Sequence, residues 1–94
     1  MQEFEQYLQQ IAIILKRYQI QHASLFGSFS KGTQTSDSDI DMLIEPSSKF
    51  TLFDMMNLEE ELTLLTKRKI DLVEFSAIKP SIKNEVLATA ISIL

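Results

Sequence analysis

A chain of 94 residues with 45% hydrophobic and 23% charged side chains and a mean hydropathy of +0.02 has the make-up of one globular domain, 1–94, too small to hold a catalytic unit plus a separate substrate domain. The net charge of −4 and pI near 4.8 argue against a broad phosphate-binding surface, so a long nucleic acid is not an expected partner. No apolar run approaches the roughly 18 residues of a membrane span, cysteine is absent, and the opening "MQEFEQYLQQ" puts two acids and no base ahead of its apolar residues, so a cytoplasmic location is expected.

In chain order, Phe4, Tyr7, Leu8, Ile11, Ile14, Leu15 and Tyr18 recur at the spacing of one helix face, which predicts a first amphipathic helix. "HASLF", 22 to 26, ends at Gly27 and reads as a buried strand entering a tight turn. "DIDMLIE", 39 to 45, predicts a second strand stopped by Pro46. Thr51 and Asp54 form a capping-box pair ahead of Leu52, Met55, Leu58, Leu62 and Leu65, a second amphipathic helix closing at Lys67, Arg68 and Lys69. "KIDLVEF", 69 to 75, is a third strand, and Pro80 starts a last helix with Ile82, Val86, Leu87 and Ala90. The closing "ISIL" fits either a frayed helix end or a short strand. The order gives an α+β fold with α/β-type alternation, a small mixed sheet of three or four strands flanked by helices.

The stretch "GSFSKGTQTSDSDIDMLI", residues 27 to 44, carries three aspartates at alternate positions, Asp37, Asp39 and Asp41, beside an apolar run. Along a strand, Asp39 and Asp41 share a face while Ile40 and Met42 point into the core. Asp71, between Ile70 and Leu72, follows the same rule. If the second and third strands are neighbours, three carboxylates meet across about 5 Å. Such oxygen donors suit hard cations, Mg²⁺ above all when phosphates complete the shell, and two such ions serve phosphoryl-type displacement. At the other end, Gly27 permits a sharp turn, Ser28 offers a hydroxyl beside free backbone N–H groups, and Lys31 adds a positive charge. One end suits anions and the other cations, as a metal-chelated nucleoside triphosphate requires.

Two rival motifs fail. Gly27 and Gly32 have P-loop spacing, but Thr33 and Gln34 stand where Lys and Ser or Thr are required. Asp37, Asp39 and Asp41 match the first ligands of an EF-hand, but Met42 replaces the obligatory glycine and Ser48 the closing glutamate.

Gly27-Ser28, ten residues, then Asp39-x-Asp41 and a later-strand Asp71 resemble the signature of the DNA polymerase β-like nucleotidyltransferases, and "LFGSFSKGTQTSDSDIDMLI" is similar to their minimal members, the MNT proteins. The resemblance implies a polymerase β-like palm fold. It also implies a metal-dependent enzyme taking AMP from ATP to a protein hydroxyl, a tyrosine of a HEPN toxin, and so acting as an antitoxin. By position, Ser28 and the amides around Gly27 would hold the outer phosphates, with Lys31 beside them. Asp39 and Asp41 would ligate two Mg²⁺ ions, with Mn²⁺ as a substitute, and Asp71 would ligate the catalytic one and help deprotonate the acceptor. Ser30-Lys31 stands where the family often has Ala-Arg, which keeps a small residue and a base.

Other residues take plainer roles. Asp37 either caps the turn or supports the site. His22 has no partner in view and reads as a surface or packing residue. Lys67, Arg68 and Lys69 read as a solvated helix end, Met55 and Met56 as core filling, and Tyr7 and Tyr18 as part of the first helix face. Two alternatives stand beside transfer to a protein: an MNT-like antitoxin that neutralises its partner by binding alone, and transfer to a small molecule such as an aminoglycoside. The oligomeric state is open.

Overall fold

A computed structural model describes residues 6–27 and 39–94. Helix α1, Leu8–Arg17, seats Ile11 and Leu15 fully in the core, with Tyr7, Leu8, Ile14 and Tyr18 packed around them. This is the helix face expected from the spacing, apart from Phe4, which lies outside the described residues. A positive φ of 60° at Gln19 turns the chain directly into β1, Ile20–Phe26, two residues earlier than "HASLF" suggested.

Strand β2, Ile40–Pro46, runs antiparallel to β1, and β3, Ile70–Glu74, runs parallel to β2. Parallel neighbours need a crossover, supplied by α2, Leu52–Thr66. The capping box forms as expected: the Asp54 N–H donates to Thr51 Oγ1 at 3.2 Å and the Thr51 N–H to Asp54 Oδ2 at 2.9 Å. The far end differs from the expectation. Lys67 adopts the left-handed conformation (φ 59°) as the C-cap, so the run of bases follows the helix and none lies in its last turn.

After a 3₁₀ turn, Phe75–Ala77, and α3, Pro80–Thr89, the closing residues settle as β4, Ile91–Ser92, antiparallel to β1. Of the two readings of "ISIL", the strand holds because β1 has an open edge to complete. The sheet order is β3-β2-β1-β4, mixed in direction as expected. Among the described residues no helix is long and apolar enough to cross a membrane.

Ala23 and Leu25 of β1, Ile40, Met42 and Ile44 of β2 and Ile70 of β3 form one face of the sheet, closed by Ile11 and Leu15 of α1 and Leu58 and Leu62 of α2. Helix α2 corrects two expectations. Met55 packs against the core, but Met56 is 60% exposed and Leu52 75% exposed. At about 100° per residue, Met56 lies on the side of the helix away from Leu58 and Leu62, and Leu52, the first helical residue, lies on the flank between.

Across the α1–α2 seam, Tyr18 donates its hydroxyl to Glu61 Oε2 at 2.5 Å, and Arg17 reaches Glu61 Oε1 at 3.1 Å. The Tyr18 hydrogen bond, then Arg17, holds the Glu61 carboxyl below its usual range against some desolvation. The same bond, with burial, raises the Tyr18 phenol to about 12. A depressed carboxyl contributes stability above its unfolded pKa and loses it as pH falls through the folded value. Tyr18→Phe is therefore expected to lower stability by about 0.5–1 kcal/mol at pH 7, the seam being part exposed. Urea unfolding should show that gap closing below the ordinary glutamate pKa; a gap independent of pH would contradict the assignment.

Candidate active site

Strand alternation turns Asp41 and Asp71 away from the core face. Asp41 lies between Ile40 and Met42, both fully buried, and is itself half-buried; Asp71 follows the fully buried Ile70. The β2–β3 register places Asp41 directly opposite Asp71, and the β1–β2 register places Phe26 on the other flank of Asp41. Asp39 precedes β2 by one residue, on the same side as Asp41 and exposed. The Ile40 N–H donates to the Lys69 carbonyl at 2.9 Å, which fixes the two strand starts side by side. The register thus sets Asp41 beside Asp71 at one end of the sheet with Asp39 two residues before Asp41 in the chain, short of the three-carboxylate convergence expected from the sequence.

Electrostatics matches the geometry. Burial first, then the charges of Asp71 and Asp39, raises the Asp41 carboxyl above its ordinary value. The three acids repel, and among the described residues no group of three or more His, Cys, Asp or Glu side chains is gathered tightly enough to hold a metal ion. What the structure supplies is the donor set: three carboxylates on adjacent strand starts, of the oxygen-only kind that a hard divalent cation takes, with repulsion that such a cation would relieve.

Gly27 has a role here that the sequence did not reveal. Its φ is +70°, and a Cβ at this position would collide with Asp41 Oδ2 and lie 3.3 Å from Asp41 Cγ. The glycine both makes the turn after β1 and leaves room for the central carboxylate. No local signal announces that second role, because it depends on β1 lying beside β2. Ser28, Lys31 and Asp37 lie outside the described residues.

The same face of the sheet is partly roofed further along. His22, Ser24, Leu43, Phe75 and Leu87 line a cleft of about 250 Å³ that starts two residues along β2 from Asp41. His22 is exposed at that rim, in keeping with a surface role.

Residues 9–94 match the family model described as polymerase beta, nucleotidyltransferase. The chain belongs to the polymerase β-like nucleotidyltransferase family. A family member of Methanocaldococcus jannaschii that carries the name protein adenylyltransferase is 32% identical over 81 residues, 86% of this chain and 87% of that one. The protein adenylyltransferase MntA of Thermococcus cleftensis is 33% identical over 72 residues, covering 77% and 73% of the two chains. Among solved structures, a minimal nucleotidyltransferase superposes with a TM-score of 0.85 at 26% identity, over 94% of this chain and 90% of that one. The fold also matches, with a TM-score of 0.73 at 18% identity over 96% and 71% of the chains, a chain in the complex of a tri-AMPylated Shewanella oneidensis HEPN toxin with an MNT antitoxin. This member of the family is accordingly a nucleotidyltransferase, with the α+β architecture of the minimal ones.

Proposed function

We propose that the chain transfers AMP from ATP to a protein hydroxyl, a tyrosine of a HEPN toxin, and so acts as its antitoxin. The observation that carries this reading is the register of Asp41 opposite Asp71 with Asp39 on the same side, in a chain whose relatives are named protein adenylyltransferases. The complex of an AMPylated HEPN toxin with an MNT antitoxin, which shares the fold, supports the partner class.

Asp39, Asp41 and Asp71 would hold one or two Mg²⁺ ions, or Mn²⁺ in their place. Bound there, the metal supplies charge neutralisation for the phosphates and lowers the barrier to attack. The chain's own residues do the rest. Gly27 amide, Ser28 and Lys31 hold the outer phosphates and orient the leaving group. The acceptor oxygen forms a bond to the α-phosphorus, the bond from that phosphorus to the β-bridging oxygen breaks, and pyrophosphate departs. The hydroxyl proton passes to the Asp71 carboxylate. The raised Asp41 carboxyl makes proton and cation compete for the site, so activity should rise with pH on its acid side.

Incubation with Mg²⁺ and ATP labelled at either the α- or the γ-phosphate, together with the product of the gene adjacent to its own, tests the reaction. Label from the α-position alone should appear on the HEPN tyrosine. Label on an added aminoglycoside instead would move the acceptor to a small molecule. A silenced but unlabelled toxin would favour neutralisation by binding alone, a second reading to which the exposed apolar residues of α2 lend support.

A further inference from the structure

Helix α2 is apolar on both sides. Leu58 and Leu62 face the core, while Phe53, Met56 and Leu64 are 76%, 60% and 72% exposed, with Leu52 beside them. At about 100° per residue, Phe53, Met56 and Leu64 fall within one stripe centred opposite the buried residues. The core covers only the Leu58–Leu62 side of the helix, which leaves Phe53, Met56 and Leu64 as large apolar side chains in water. Acids lie within and beside the stripe: Glu60 falls between Met56 and Leu64 and Glu59 at the edge, and with Met56, Thr63 and Leu64 they line a shallow groove of about 290 Å³.

We infer that the outer face of α2 docks a protein partner through an apolar helix flanked by lysine or arginine, the partner being the HEPN protein of the proposed function, on which this inference rests. Charge decides between occupants. In a two-fold pairing of two copies through this face, Glu59 and Glu60, at the middle of α2, would meet their counterparts across the axis, in a chain whose net charge is already −4. A basic-flanked helix meets the same acids with complementary charge and fills the groove with its apolar side. The stripe points away from the sheet, whereas Asp39, Asp41 and Asp71 lie on the sheet's other face. A partner held by α2 therefore leaves the acid site of its own holder open, so docking and transfer are separable.

The test measures binding of the full chain to the product of the gene adjacent to its own, the candidate HEPN partner. Met56→Ser/Leu64→Ser should weaken affinity at least tenfold, and Glu59→Lys/Glu60→Lys should weaken it and abolish its decline with added salt. Both variants should keep the melting temperature and the ATP-dependent thermal shift of the wild type, and Asp39→Asn/Asp41→Asn should bind as tightly as wild type. Wild-type binding that both α2 variants retain would overturn this surface while leaving the partner intact. No binding by the wild type would overturn the partner reading together with the surface. A wild-type dimer in sedimentation that Met56→Ser/Leu64→Ser dissociates would assign the face to a second copy and overturn the inference.

Discussion

Asp39→Asn/Asp41→Asn is expected to reduce AMP transfer at least a thousandfold, about 4 kcal/mol of barrier, while the domain stays folded. Asparagine keeps the shape of aspartate, so the strand pairing around Ile40 and Met42 has no reason to change. It removes two of the three charges that crowd the start of β2 and β3, including the Asp41 carboxyl that burial, Asp71 and Asp39 all oppose. Without metal the double variant should therefore melt no lower than wild type, and slightly higher if relief of repulsion outweighs lost hydration. Single-turnover transfer and thermal unfolding, measured on the same preparations, separate the effects. Retained transfer would remove the carboxylates from the reaction; lost transfer with a collapsed melting temperature would make them structural.

Gly27→Ala should have the next largest effect, also divided between stability and activity. A side chain at φ +70° costs about 1–2 kcal/mol in the left-handed region. The new Cβ would meet the end of the Asp41 side chain, which can swing aside, so the steric part adds little to unfolding. Swinging aside is what the site cannot tolerate, since Asp41 is the central carboxylate. Transfer should fall more than tenfold, beyond what the small loss of stability explains, and the variant should bind ATP with Mg²⁺ more weakly. Transfer at the wild-type rate would show that Asp41 need not stand against Gly27.

Much of this site was legible in the sequence because strand alternation is simple. An acid between two large aliphatics, as at Asp41 between Ile40 and Met42 and at Asp71 between Ile70 and Leu72, must leave the core face if its neighbours enter it. The capping pair Thr51 and Asp54 was legible for a similar reason, as a local interaction with a fixed spacing. Long-range register was not: only the folded sheet sets Asp41 opposite Asp71, or brings Gly27 against the Asp41 carboxylate. Helix α2 misled for a different reason. With apolar residues on both sides, leucine spacing fits more than one stripe, and Leu52 and Met56 proved to be exposed. Helix α3 forms where Pro80 announced it, yet Ile82 and Leu87 remain 46% and 45% exposed, so periodicity located the helix without measuring how deeply it packs.

The claim at the centre of this account is that the acids on β2 and β3 serve to hold a metal-chelated nucleotide. Calorimetry and thermal shift of the isolated chain with ATP test it most directly, because no partner or acceptor is needed. With Mg²⁺ present, ATP at about a hundred times its dissociation constant should stabilise the fold by about 2.7 kcal/mol. The shift should nearly vanish in EDTA and in Asp39→Asn/Asp41→Asn. An equal shift without metal, or in the double variant, would contradict the account.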